Sequence, residues 1–140
     1  MIREAKETDI SALQAIYTAA QSENFHWLSS EEISQLDIKT DTEGEKIWVA
    51  VIENDIVGFI SVWEQENFIH HLFVHPSHAG KKIGKKLLSH ALAIIGRPAA
   101  LKCISLNQPA LAFYKSQGWV TAHIGNDGDI EYEKLELHEI

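Results

Sequence analysis

The chain has 140 residues, 45% hydrophobic, 23% charged and 9% aromatic, with a formal net charge of −8. That size and balance fit one globular domain spanning residues 1–140, large enough to bury a core unaided, and a single cysteine, Cys103, excludes a disulfide framework or a multi-cysteine metal site. No apolar run approaches the roughly 18 residues that cross a bilayer, and Met1-Ile-Arg-Glu-Ala opens no signal peptide, so a soluble, cytoplasmic protein is expected.

Ile10, Leu13, Ile16, Tyr17 and Ala20 recur at helical spacing, with Thr8 or Asp9 available as N-cap. Phe25-His-Trp-Leu forms an aromatic connection to a second short helix, opened by Ser29 or Ser30 and acidic in its first turn. Three strand-like runs follow, Ile47 to Ile52, Ile56 to Trp63 and Phe68 to Val74, separated by polar turns at Glu53-Asn-Asp and Gln65-Glu-Asn. Short turns between consecutive strands predict an antiparallel meander.

The spacing of Ile83, Leu87, Leu88, Ala91, Leu92 and Ile95 predicts an amphipathic helix over 80–95, stopped by Gly96-Arg-Pro. Ala99 to Ser105 is a short strand, and a strand–helix–strand unit within one sheet makes its outer strands parallel. Asn107 caps a helix through Gln117, with Pro109 in its first turn and Gly118 past its end. Trp119 to Ile124 and Ile130 to Leu137 close the chain as a hairpin. The expected architecture is α+β: a mixed, mostly antiparallel central sheet of about six to seven strands flanked by about four helices.

The net charge argues against generic nucleic-acid binding, but its distribution is uneven. All twenty Asp and Glu lie outside residues 67–126, a stretch holding Lys81, Lys82, Lys85, Lys86, Arg97, Lys102 and Lys115. That block sums to +7, whereas the remainder sets five cations against twenty acids, or −15. A contiguous block without carboxylates suits an anion; core strands, poor in charge anyway, account for part of the same pattern. Inside it, Val74-His-Pro-Ser-His-Ala-Gly-Lys-Lys-Ile-Gly-Lys-Lys runs from a strand end into a helix start. A helix N-terminus leaves amides unpaired and carries the positive end of the macrodipole, and glycines let a phosphate approach those amides.

The segment Ala79-Gly-Lys-Lys-Ile-Gly84, followed by Asn107-Gln-Pro-Ala-Leu-Ala-Phe-Tyr114 through Trp119, resembles the GNAT superfamily of N-acetyltransferases. The order of elements along the whole chain matches that fold as well. The resemblance implies acetyl-CoA as cofactor and acetylation of a primary amine, either a small cationic amine or a peptide amine, by direct transfer in a ternary complex. It also admits a homodimer. Position by position, Leu72, Phe73 and Val74 would splay from a neighbouring strand and face the pantetheine arm, with the Val74 N–H near the thioester carbonyl. Ala79, Gly80, Lys81, Lys82, Ile83 and Gly84 would wrap the pyrophosphate, Asn107 would bond the pantetheine arm, and Tyr114 would be general acid for the departing thiolate. This chain departs from the motif at Ala79, where Gln or Arg is usual, and at Lys82, where Gly is usual. A GNAT-fold CoA-binding or regulatory module without turnover is therefore the alternative reading, since fold alone does not fix activity.

Other assignments carry two readings each. Tyr114 is either the acid or a core aromatic of its helix. His70 on the third meander strand is the expected proton acceptor, through water, or a packing histidine; His71 is expected on the opposite face. Opposite faces would prevent His70 and His71 from sharing one metal ion, so no metal site is expected. Cys103 reads as core. Phe25, Trp27 and Trp63 are expected against the acceptor, near Glu23, Glu64 and Glu66, with the core as the alternative place for Trp27 and Trp63.

Overall fold

The computed structural model describes residues 1–24 and 29–138, apart from the side chains of residues 23, 24 and 30. The first strand, β1 (Ile2–Glu4), has no signature in the sequence. Its three residues are held by antiparallel pairing of Ile2, Arg3 and Glu4 with Ala50, Val49 and Trp48. The chain enters α1 (Ile10–Asn24) through a 3-10 turn, Glu7–Asp9, so the helix entry lies earlier than the expected cap at Thr8 or Asp9. Asp9 closes that turn by accepting from the Lys6 N–H at 2.8 Å, while Arg3 donates to its two carboxylate oxygens at 2.8 and 3.1 Å.

In α2 (Ser30–Ser34), Ser29 is the N-cap: its hydroxyl accepts from the Glu32 N–H, and the Glu32 carboxylate accepts from the Ser29 N–H. The four-residue α3 (Ile38–Asp41), not expected from sequence, is started by Asp37, whose carboxylate accepts from the Lys39 N–H at 3.2 Å. The meander is β2 (Lys46–Ile52), β3 (Asp55–Trp63) and β4 (Phe68–Val74). Glu53 and Asn54 both take positive φ, 50° and 71°, giving the two-residue hairpin turn that leaves Asp55 free to pair with Ile52.

The amphipathic segment forms α4 (Ile83–Ile95), three residues shorter than the periodicity predicts. Gly80 and Lys82 sit in the left-handed region, at φ 82° and 62°, and a helix cannot propagate through that conformation. β5 (Ala99–Ile104) pairs parallel with β4, and α5 (Gln108–Ser116) starts at its cap Asn107. The closing hairpin is β6 (Val120–Asp127) with β7 (Ile130–Leu137); β7 lies between β5 and β6. The seven-stranded order is β1-β2-β3-β4-β5-β7-β6. The fold is thus the mixed, mostly antiparallel α+β arrangement expected, with five α-helices among the described residues where about four were expected.

Two apolar clusters flank the sheet. Leu13, Ile16 and Tyr17 of α1 and Ile38 of α3 pack on Val49 and Phe59. Ile83, Leu87, Leu88 and Ala91 of α4 pack with Ile60, Val62, Leu101 and Leu135, and Leu111, Tyr114 and Trp119 join this second cluster. Each Leu, Ile or Val among them contributes about 1.5–3 kcal/mol of transfer free energy when fully buried. Among the described residues no helix is long and apolar enough to cross a membrane.

Candidate functional site

The site begins as a fault in the sheet. β4 and β5 pair only at Phe68–Ala100 and Ile69–Leu101, after which the two strands separate. On its other edge β4 stays paired with β3 up to Val74, opposite Gly58, and the next residue, His75, donates its N–H to the Val57 carbonyl at 2.8 Å. In an antiparallel ladder successive residues alternate between bonding the partner strand and facing away. The His75–Val57 bond therefore turns the N–H and C=O groups of Val74 and Leu72 toward the gap, while Phe73 faces β3. Backbone groups of Leu72 and Val74, turned away from β3, are what line the opening.

On one side of the gap lies a cleft of about 380 Å³ formed by Leu72–Val74, Ala79, Gly84 and the Asn107–Tyr114 helix. The start of α4 faces it. Asn107, Ser29 and Asp37 cap their helices, but Lys82 makes no side-chain cap bond, so the first-turn amides of α4 are left open. A Cβ on Gly84 would sit 3.9 Å from Val74 Cγ2, inside the cleft. A glycine there keeps room for a ligand against those amides, and the positive helix end suits a phosphate-bearing one. The lysines are placed less directly than the sequence implies. Lys82, Lys85 and Lys86 line a separate groove of about 580 Å³ with Ile2 and His90, so they act on the cleft only at longer range.

Asn107 spends its side-chain oxygen on the Ala110 N–H at 3.3 Å, which leaves its amide NH₂ as the available donor. Tyr114 is 9% exposed, with its ring edge-to-face on Phe113 and Trp119 at 5.3 and 5.9 Å. Burial holds its hydroxyl protonated well above the usual tyrosine range. Among the described residues no group hydrogen-bonds that hydroxyl, so its proton is uncommitted.

Across the gap, a second cavity of about 220 Å³ is lined by Gln21, His70, His71 and Cys103 and shares Leu72, Phe73, Asn107, Ala110 and Tyr114 with the first. Tyr114 thus fronts both. The β3–β4 register shifts between Ser61 and Val62: Ser61 pairs with His71 but Val62 with Ile69, leaving His70 as an inserted residue. This bulge corrects the expectation of opposite faces. Two successive bulged residues no longer alternate, and the two imidazoles lie together, centroids 3.9 Å apart. Both meet Glu45, which precedes β2 and which sequence reasoning missed. Glu45 Oε2 hydrogen-bonds His70 Nδ1, and Glu45 Oε1 lies 4.0 Å from His71 Nδ1.

His71 is 10% exposed in its side chain, bonded through Nδ1 to the Ser61 hydroxyl at 2.9 Å and covered edge-on by Tyr17. Burial, then the neighbouring His70, pushes its pKa down to about 3. His70 is more open, with 44% side-chain exposure. Cys103 is buried and its thiol is pushed up to about 11, first by burial and then by Glu133. Trp63 lines neither cavity; its ring packs where a Cβ on Gly44 would go. Phe25 and Trp27 lie outside the described residues.

The acetyltransferase (GNAT) family model matches residues 11–119. The peptidyl-lysine N-acetyltransferase YjaB of Escherichia coli is 28% identical over 121 residues, covering 84% of this chain and 80% of that protein. Streptothricin acetyltransferase of Streptomyces lavendulae is 32% identical over 96 residues, 59% of this chain and 51% of that one. The solved PaiA N-acetyltransferase of Thermoplasma acidophilum, in complex with coenzyme A, superposes with a TM-score of 0.81 at 20% identity, over 96% of each chain.

Proposed function

The chain belongs to the acetyltransferase (GNAT) family, whose cosubstrate is acetyl-CoA, and from that premise we propose that it transfers an acetyl group to a primary amine by direct attack in a ternary complex. The observation that carries this reading is the pair of cavities joined at Tyr114. One is fitted to a pantetheine arm and pyrophosphate by the Leu72 and Val74 backbone, the open α4 amides and the room beside Gly84. The other accepts the nucleophile.

Acetyl-CoA supplies an activated carbonyl with a thiolate leaving group. The Val74 N–H, aimed into the gap, donates to the carbonyl oxygen as charge develops there. The amine nitrogen forms its bond to the carbonyl carbon and gives up a proton to His70, directly or through one water. The carbon–sulfur bond breaks, and Tyr114 gives its proton to the departing sulfur. Glu45 supports His70 by accepting from Nδ1–H, which fixes the tautomer that presents a free Nε2. Cys103, a thiol at neutral pH, is left out of the reaction.

The acceptor proposed is a small cationic amine or a peptide amine. The names of the two curated relatives supply both classes, and the acid-rich remainder of the chain, at −15, favours a cation. The departures at Ala79 and Lys82 do not close the cleft. Lys82 adopts the left-handed conformation that a glycine would take, and its side chain lines the other groove.

The test is calorimetry with acetyl-CoA and with CoA, followed by turnover on lysine peptides and small polyamines with wild type, Tyr114→Phe and His70→Ala. Tyr114→Phe is expected to lower kcat by about 10²-fold or more with an unchanged KM for acetyl-CoA. His70→Ala is expected to lower kcat and regain part of it with added imidazole. Absence of CoA binding would remove the enzyme reading, and unchanged kcat in either variant would remove that residue's role.

A further inference from the structure

We propose that Glu45, His70 and His71 form a binding site for a divalent transition-metal cation of the zinc type, which on binding takes away the proton acceptor. The three side chains bring one ligand atom each to within 4.8 Å of one another. The donor set, two imidazoles and a carboxylate, is the one borderline cations prefer, whereas magnesium and calcium prefer all-oxygen sites.

A second observation points to a missing partner. The Glu45 side chain is only 8% exposed, and its Oε1 is fully buried without a hydrogen-bond partner among the described residues. Leaving a buried carboxylate oxygen unsatisfied is costly, and more so for a charged group. The uncompensated atom faces His71 Nδ1 at 4.0 Å, the space a cation bridging the two would occupy.

The site is held by the fold rather than by a flexible loop. The bulge between Ser61 and Val62 puts both histidines on one side, and Tyr17 packs edge-on against His71 at 5.3 Å. Bonds of about 2.0–2.1 Å in tetrahedral geometry set ligand atoms about 3.3 Å apart, so atoms within 4.8 Å of one another must close by at most roughly 1.5 Å. His70, with 44% of its side chain exposed, is the ligand free to supply that movement and leaves a coordination position open to water. The Ser61 hydroxyl, now bonded to His71 Nδ1, is displaced when that nitrogen takes a cation.

Cation binding is read without turnover, so this inference stands or falls separately from the acetyl-transfer reading. Metal-free full-length protein is titrated with zinc chloride by calorimetry, and cobalt(II) is added separately for its visible absorption. One equivalent is expected to bind. His70→Ala, His71→Ala and Glu45→Gln should each weaken binding by about tenfold or more, as loss of a ligand must. Ser61→Ala should tighten it by removing the competing hydrogen bond, and His123→Ala, on the exposed edge strand β6, should leave it unchanged. If a buried substitution unfolds the chain, the exposed His70→Ala decides the matter. No stoichiometric binding, or binding that His70→Ala leaves unweakened, overturns the site. In a separate assay zinc should inhibit wild-type turnover.

Discussion

Lys82 offers a clean test of the link between backbone and ligand site, because one residue carries both a strained conformation and a charge. Its φ of 62° and ψ of 23° place it in the left-handed region at the N-cap of α4. For a residue with a Cβ that conformation costs about 1–2 kcal/mol. Glycine removes the strain but gains freedom in the unfolded chain, which offsets about 0.5–1 kcal/mol of the benefit. Lys82→Gly should therefore be more stable than Lys82→Ala by about 0.5–1 kcal/mol, since alanine loses the same charge and keeps the strain. For a chain of this size that is a rise of about 2–4 °C in Tm. Thermal melts and urea titrations of the two variants measure it directly. The charge is compared in the same pair. The side chain is exposed and lines the neighbouring groove, so both variants should weaken coenzyme A by only about two- to fivefold, and less at high salt. A Lys82→Gly protein no more stable than Lys82→Ala would refute the strain argument. A tenfold loss of coenzyme A in Lys82→Ala would show that the lysine reaches the ligand after all.

Gly84→Leu should lower coenzyme A affinity by about a factor of ten or more in calorimetry, the equivalent of about 1.4 kcal/mol, because its side chain fills the space beside Val74 that the ligand needs, with little change in Tm. Asp9 gives a pH signature. The Arg3 hydrogen bonds hold its carboxyl below the ordinary range, so its stabilisation is full above the unfolded-state value of about 3.9 and is lost as pH falls through the lower folded value. Urea unfolding of wild type and Asp9→Asn should show a stability gap that is constant near neutrality and shrinks below about pH 4; a gap that widens in acid would contradict the pairing. Cys103, with its thiol pushed up to about 11, should resist alkylation at pH 8 and form no acetyl adduct with acetyl-CoA by mass spectrometry. An adduct would replace direct transfer with an acyl-enzyme route.

Local chemistry explains which parts of this molecule are readable from its residues. The apolar stripe of α4, the Ser29–Glu32 capping box, the Asn107 cap and the bounds of β4 each follow from side chains a few positions apart. What escapes such reading depends on register between distant segments. β1 exists only because β2 offers an edge, and the cation-sized gap at Glu45 exists only because β4 carries one residue more than β3 beside Ser61. His70 and His71 look like alternating strand residues until that insertion turns them together. Glu45, in a polar stretch between α3 and β2, carries no mark of burial; its 8% exposure is produced by the residues that fold over it. The same reasoning orders the site itself. Groups proposed to bind the cofactor come from contiguous segments, 72–84 and 107–114, and are legible as motifs. Groups proposed to handle the acceptor's proton come from segments 25 residues apart and are assembled only by the sheet. Acceptor chemistry therefore changes with single-residue shifts of register, while the coenzyme cleft is carried unaltered by its two local motifs.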